Sequence, residues 1–186
     1  MFNVSSMYCI NSDYKCDKIM YKKFITEIQD FPIEGVSFKD ISPLLANEEM
    51  FGEVIVEMSN LLYNKKIPDY WIGIDARGFI FASALATYCG GGIVLCRKKG
   101  KLPPPTKEWS YDLEYGTATL EMKSGSGTAV IVDDVLATGG TLFATNHLAK
   151  ESGYDVVDNL VLIDLLYIPT VKDFNLRVKS LIQYGR

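Results

Sequence analysis

Apolar residues along this chain recur in two periods, and the change from one to the other divides the sequence. From Asp13 to Phe31, Cys16, Met20, Phe24 and Ile28 repeat every fourth position with Tyr21 and Ile25 beside them, which predicts an amphipathic helix. A second helix is expected after Asn47, a good N-cap followed by Glu48 and Glu49 in the first turn. Its stripe is Phe51, Val54, Ile55, Met58, Leu61 and Leu62; Lys65 and Lys66 complete it at the negative end of the dipole, and Pro68 forbids continuation. Beyond Pro68, short apolar runs alternate with longer helical ones. The runs Trp71 to Ile74, Ile93 to Cys96, Ala129 to Val132 and Leu160 to Ile163 read as buried strands. Gly78 to Tyr88, apolar on nearly every side and followed by Gly90, Gly91 and Gly92, reads as a buried helix; Thr141 to Ser152, closed by Gly153, reads as another. Alternation of this kind is the pattern of an α/β fold with a mostly parallel central sheet flanked by helices.

One stretch does not fit a crossover helix. Arg97 to Glu121 contains three consecutive prolines, Pro103 to Pro105, and then weak alternation from Tyr111 to Met122 before the turn at Ser124 to Gly127. It reads as a long two-armed excursion from the sheet, and excursions of that length in compact domains are usually lids or binding loops. No repeat or composition break marks a second full domain, and 186 residues suit one domain that buries roughly 70% of its unfolded surface.

Charge and composition narrow the chemistry. Nineteen Lys and Arg against 23 Asp and Glu leave a net charge of -4, which argues against a nucleic-acid partner because phosphate neutralisation needs surplus cations. The single histidine, His147, excludes multi-histidine metal centres, and its place two turns into a helix reads as surface or packing rather than catalysis. Cys9, Cys16, Cys89 and Cys96 form no C-x-x-C pair and read as reduced thiols. No basic, apolar leader opens the chain and no apolar stretch reaches membrane-span length, so no membrane association and a cytoplasmic location are the default expectations. Asn3-Val4-Ser5 is a formal glycosylation sequon taken as chance.

The strongest chemical motif is Val130 to Thr141, where a buried strand ends in Asp133 and Asp134, a small-residue turn follows, and a helix starts near Thr141. Gly139 and Gly140 permit positive φ and close backbone approach, while Ala137, Thr138, Gly139, Gly140 and Thr141 present amide donors at a helix N-terminus. A phosphate monoester fits there and gains ~0.3 to 2 kcal/mol from the helix dipole. Adjacent strand residues point to opposite faces, so Asp133 and Asp134 cannot flank one bond as a glycosidase pair. One is suited to sugar hydroxyls, the other to orienting that carboxylate or a metal-bound water. Rival phosphate motifs fail: Leu95 and Leu102 stand where a P-loop around Gly100-Lys101 needs Gly and Ser or Thr, and Val130 stands where a dinucleotide fingerprint needs Gly or Ala.

The Asp133 to Thr141 stretch resembles the phosphoribosyl pyrophosphate (PRPP) motif of type I phosphoribosyltransferases. Four further segments narrow the resemblance to the adenine phosphoribosyltransferase family: Asp30-Phe31-Pro32 through Leu44, Asp75 to Phe81, Arg97 to Pro103, and Leu113-Glu114-Tyr115-Gly116. It covers residue 13 to the C-terminus. The resemblance implies the type I phosphoribosyltransferase fold as a single domain over 1–186, with a small hood at about 13–45 and a long flexible lid at about 97–122. It implies the conversion of adenine and PRPP, with Mg2+, to AMP and pyrophosphate in purine salvage by a homodimer.

Residue by residue, the resemblance assigns Asp133 and Asp134 to the PRPP ribose and Ala137 to Thr141 to the 5'-phosphate. Ala76, Arg77, Arg97 and Lys101 match pyrophosphate contacts, some of them from the partner subunit. Glu114 matches the catalytic carboxylate that manages the proton at purine N7, with Tyr115 helping to close or orient the lid. Phe38 would stack on adenine while backbone groups of Ser37 and Lys39 read its edge. Magnesium would be held mainly by PRPP and water. Two positions depart from the family pattern: Ser37, commonly apolar, and Ala82, commonly Gly. Transferases for other bases, and a PRPP-binding regulator without catalysis, are the rival readings. The Phe31 to Leu44 hood and the LEYG segment count against the first, Glu114 and the acidic balance against the second.

Overall fold

A computed structural model describes residues 18–62, 66–113, 116–169 and 176–185, in two compact units divided after Ala46. In the first unit, helix α1 (Lys18–Lys22) is a short turn, and strands β1 (Thr26–Ile28) and β2 (Phe38–Asp40) pair antiparallel, with Glu27 opposite Lys39 and Ile28 opposite Phe38. The helix expected over 13–31 is therefore only partly present. Residues 13–17 lie outside the described residues, and from Thr26 the chain is a strand. Its local cause is legible afterwards. Ile25, Thr26 and Ile28 are β-branched, Asp30 takes a left-handed φ of 57°, and Pro32 pushes the residue before it out of helical geometry. Asp30 Oδ1 accepts the Gly35 amide at 2.7 Å, closing the loop that returns the chain to β2. Helix α2 (Ser42–Leu45) follows directly, with the Ser42 amide and hydroxyl both donating to Asp40 Oδ1 at 2.9 and 2.6 Å.

The second unit opens with α3 (Glu48–Asn60), where the Asn47 side chain accepts the Met50 amide at 2.9 Å as an N-cap should. It ends at Asn60, earlier than expected; Lys66 is non-helical and Lys65 lies outside the described residues. The chain then forms β3 (Tyr70–Ile74), α4 (Gly78–Cys89), β4 (Gly92–Lys98), β5 (Lys107–Leu113), β6 (Gly116–Met122), β7 (Gly127–Leu136), α5 (Gly140–Glu151), β8 (Tyr154–Leu165) and β9 (Val178–Tyr184). All four expected strands fall within β3, β4, β7 and β8; the helix expected over 78–88 falls within α4, and the one expected over 141–152 is α5, which ends one residue earlier with Ser152 as its C-cap.

The sheet runs β5-β6-β4-β3-β7-β8-β9, with β4, β3, β7, β8 and β9 parallel and the β5/β6 hairpin joined antiparallel to β4. Ile72, Ile74, Val94, Cys96, Ile131 and Leu148 pack on the α5 side. On the other side Gly73 makes room for α4: a Cβ there would lie 3.0 Å from the Phe79 ring and 3.1 Å from Ala82 Cβ. The family departure at Ala82 is thus accommodated by the missing side chain at Gly73. Cys89 and Cys96 are free thiols, while Cys9 and Cys16 lie outside the described residues.

The excursion expected over 97–121 is a hairpin that extends the sheet, not a detached loop. Its Trp109 ring stacks on His147 of α5 at 4.8 Å and 12°, and Phe143 meets the same imidazole edge-on at 4.4 Å. His147 is therefore a packing residue. No helix among the described residues is long and apolar enough to cross a membrane.

The turn after α5 is sterically exact in its demand for glycine. Gly153 has φ +98°, and a Cβ there would lie 2.3 Å from Gly125 O. Gly153→Ala should destabilise the protein by roughly 1 to 3 kcal/mol or more, each kcal/mol lowering the melting temperature by ~2 to 4 °C; thermal denaturation checks this.

Candidate active site

Parallel strands place their carboxyl ends on one edge, and β4, β3 and β7 are neighbours, so the loops that leave them gather there. Four of the sequence-assigned groups emerge at this edge: Asp133 and Asp134 from β7, Ala76 and Arg77 after β3, Arg97 near the end of β4, and the Ala137 to Thr141 turn.

Arg77 and Asp134, assigned separately to pyrophosphate and ribose, are an ion pair: Arg77 Nε lies 2.7 Å from Asp134 Oδ2. Asp134 is buried and Arg77 more than a third exposed, so the cation bridges the buried carboxylate to the open face. β7 runs on to Leu136, past the two aspartates at which it was expected to end; Asp133 is partly exposed and accepts the Asp134 amide at 2.9 Å. Burial pushes the Asp133 carboxyl well above the ordinary carboxylate range, and the neighbouring Asp134 charge adds to the rise. Burial raises Asp134 as well, with Arg77 the leading influence in the opposite direction.

Gly78 permits this closeness. A Cβ at that position would sit 2.6 Å from Val132 O and 3.1 Å from Asp133 Oδ1, so the start of α4 can lie against the end of β7 only without a side chain. The Asp75–Ala76 peptide that precedes it is cis.

The turn expected to hold a phosphate leads into a helix N-terminus. Gly139 has φ 85° and stands at the N-cap of α5 with no side-chain cap, which leaves the first-turn amides facing outward. Gly140 is the first helical residue and has no positive φ, so only one of the two glycines serves the conformation expected of both. A Cβ on Gly140 would meet only Thr138 Oγ1 and Tyr111 Cε2, each at 3.9 Å. Thr141 Oγ1 lies 3.2 Å from the Tyr111 hydroxyl of β5, a contact between the hairpin and the phosphate turn that the sequence did not signal.

On β4, Arg97 is held by Asp75 Oδ2 at 3.2 Å, donates to Lys101 O at 3.2 Å, and lies 5.7 Å over the Phe79 ring. Asp75 was not singled out from sequence; its position one residue before Ala76-Arg77 was the available signal. Lys99, part of the same run of cations, is bound to Glu108 of the hairpin at 2.7 Å. Lys101 is exposed, and its amide is held by Glu121, another residue sequence reading passed over. Glu114 and Tyr115 lie outside the described residues.

Ser37, Phe38 and Lys39, expected from the sequence to meet the base, belong to the first unit. Phe38 meets Phe31 edge-on at 5.2 Å. Lys39 is buried, bound to Glu27 at 2.7 Å, and donates to Ser37 Oγ at 3.2 Å; Gln29 Nε2 donates to the same oxygen at 3.3 Å. Ser37 and Lys39 thus share one face of the strand and Phe38 takes the other. The hydroxyl at position 37 serves that internal polar cluster, on the face away from the Phe38 ring.

A family model for the phosphoribosyl transferase domain matches residues 41–167. Adenine phosphoribosyltransferase of Bdellovibrio bacteriovorus is 46% identical over 165 residues, 88% of this chain and 98% of that protein. The chain belongs to the adenine phosphoribosyltransferase family. The fold agrees: the family's crystal structure from Thermoanaerobacter pseudethanolicus superposes with a TM-score of 0.84 at 38% identity, covering 90% of this chain and all of that one. The adenine phosphoribosyltransferase of Saccharomyces cerevisiae, crystallised with adenine and an iminoaltritol bisphosphate, gives 0.81 at 28% identity over 88% of this chain and 97% of that one. As in other members of the adenine phosphoribosyltransferase family, the expected mostly parallel sheet flanked by helices is present.

The raised Asp133 carboxyl has a consequence for stability. Folded protein holds that proton to higher pH than the unfolded chain, so folding takes up a proton between the two pKa values and stability falls as pH rises through that window. Asp133→Asn keeps the acceptor for the Asp134 amide and removes the loss. Ligand-free variant should melt above wild type at pH 8, by ~2 to 4 °C for each kcal/mol relieved, and the gap should close toward pH 4 in a pH series of melting curves.

Proposed function

We propose that this chain transfers the 5-phosphoribosyl group of PRPP to adenine, giving AMP and pyrophosphate in purine salvage. The observation that carries the reading is the meeting, at one sheet edge, of an uncapped helix N-terminus, the Asp133-Asp134 strand end and the Arg77 turn. These are three sites of complementary charge for the three parts of one substrate.

The 5'-phosphate would take the amides of Ala137 to Thr141 with the hydroxyls of Thr138 and Thr141. Asp133 and Asp134 would receive the ribose hydroxyls, and their negative field favours the oxocarbenium-like sugar of the transition state. Ala76 and Arg77, with Arg97 and Lys101, would bind the pyrophosphate as it leaves. Glu114 would handle the proton at purine N7, with Tyr115 beside it. Phe38 would stack on adenine, while main-chain groups of Ser37 and Lys39 read its edge.

Mg2+ would enter with PRPP. It keeps several waters and needs only one or two carboxylates beside substrate phosphates. The donor set suits that role. Asp133 is partly exposed, Asp134 and Asp75 are engaged by arginines, and no group of three or more potential ligands converges among the described residues. The cation supplies charge neutralisation for the pyrophosphate when bound.

We further read residues 97–122 as the lid, 13–45 as the hood over the base, the cytoplasm as the location, and a homodimer as the working form. Supporting the dimer, β4 is in register with β3 so that Ile93 and Leu95 share the α4 side of the sheet with Trp71 and Gly73. Ile93 and Leu95 are exposed there, as are Ile80 and Tyr88 of α4. Arg97 extends the same row, which supports a position for it near a second copy.

Labelled adenine with magnesium PRPP should yield AMP, with hypoxanthine, guanine and orotate inert; no AMP at micromolar protein overturns the reading. Glu114→Ala should lower kcat by roughly 10²- to 10⁴-fold, the range typical of general acid-base groups, with KM for both substrates within a few-fold. Unchanged kcat in steady-state kinetics removes Glu114 from the chemistry.

A further inference from the structure

Glu121 is a carboxylate in an unexpected place. It lies between the buried Leu120 and Met122 on β6, opposite Arg97 on β4, and is itself only 3% exposed. A buried carboxylate is costly unless its oxygens are satisfied. This one is satisfied by backbone: Oε1 accepts the amides of Lys101 at 2.6 Å and Leu102 at 2.5 Å. Burial alone would raise its pKa, but the amides of Leu102, Gly100 and Lys101 together with Arg97 hold it below the ordinary range.

The loop that supplies those amides is the one that carries the cations. Gly100 takes φ +84°, and the successive amides from 100 to 102 converge as they do in the concave backbone arrangements that bind anions. Here the anion is the protein's own. Further bonds fix the same loop: Arg97 donates to Lys101 O, and Lys123 Nζ donates to Pro103 O and to Pro105 O. The peptide groups on both sides of Lys101 are therefore held, by Glu121 at the amide and by Arg97 at the carbonyl. Its exposed side chain is what this clamp leaves to point outward.

We propose that Glu121 is a positioning residue for pyrophosphate recognition: by occupying the amide concavity of Gly100 to Leu102 it fixes the main chain from which Lys101 reaches the leaving group. This rests on the assignment of Lys101 to pyrophosphate made above. Glu121 touches no substrate. Its effect passes through the backbone, in contrast to Lys99, whose charge is absorbed by Glu108. Such preorganisation lowers the ordering that binding would otherwise require.

The test combines kinetics with a readout independent of turnover. Glu121→Ala should raise KM for PRPP roughly tenfold, about 1.4 kcal/mol, with kcat and the KM for adenine within about twofold. Glu121→Gln, which keeps an acceptor oxygen in place, should recover part of that loss. Lys101→Ala should weaken PRPP to a similar extent, and the double variant Glu121→Ala/Lys101→Ala should be no worse than Lys101→Ala alone, because both act through one contact. Additive losses in the double variant, or an unchanged KM for PRPP in both Glu121 variants, overturn the proposal. Hydrogen exchange at the Lys101 and Leu102 amides should accelerate at least tenfold in Glu121→Gln, a result that needs no catalysis and holds even if Glu121→Ala does not fold. Unchanged exchange there also overturns it. If wild-type protein makes no AMP while the exchange result holds, the clamp stands and the functional reading above is what fails.

Discussion

Two adjacent carboxylates at the end of a buried strand repel one another and lose hydration together, and the arrangement of the whole sheet edge follows from containing that cost. Arg77 takes up Asp134 from the turn after β3. That approach requires β3 and β7 to be parallel neighbours, and it requires glycine at position 78, where even a methyl group would strike Val132 O. The chain leaves β3 through the Arg77 turn into the N-terminus of α4, which lies against β7, before α4 crosses to β4 on the far side of β3. The field that would stabilise a cationic sugar is thus bought from fold stability, and Asp133 carries the residual strain as a raised pKa.

Around that centre the cations are distributed by carboxylates that are not themselves part of the chemistry. Asp75 holds Arg97, Glu108 holds Lys99, and Glu121 holds the main chain at Lys101. A run of basic residues that appears uniform in sequence therefore divides into different environments. In the acidic background of the chain, net charge is a poor guide to the local potential. What matters is which cation is already spent.

How much of this could be read from sequence follows the range of the interactions involved. β3, β7 and β8 were legible because strands covered on both faces read as unbroken apolar runs, β4 because its run is equally apolar although Ile93 and Leu95 are exposed, and α3 because its cap and stripe are local. The phosphate turn was legible for the same reason: its chemistry lies in nine consecutive residues, Asp133 to Thr141. The β1/β2 pair was not, since the helical period before it is real, and the β-branched Ile25, Thr26 and Ile28, with Asp30 and Pro32, override it together with pairing to residues 38–40. Nor was β9, where Lys179, Ser180 and Gln183 interrupt the apolar pattern of a sheet-edge strand. The bonds that set up the site, Arg77 to Asp134 and Glu121 to the loop at 101–102, join residues far apart in sequence and leave no periodic trace. A glutamate between two buried apolar residues was the one clue to the latter.

Trp109 and Trp71 are the only indoles in the chain, and they occupy opposite situations. Trp71 is fully enclosed in β3, with its Nε1 donating to Gly90 O at 2.8 Å, while Trp109 sits on the hairpin with its face against the single imidazole of α5. Any displacement of the hairpin changes what covers the second ring and leaves the first as it was. The protein therefore carries its own optical gauge: a steady emission from within the sheet, and beside it one whose colour and yield follow the position of the segment that leads to Glu114.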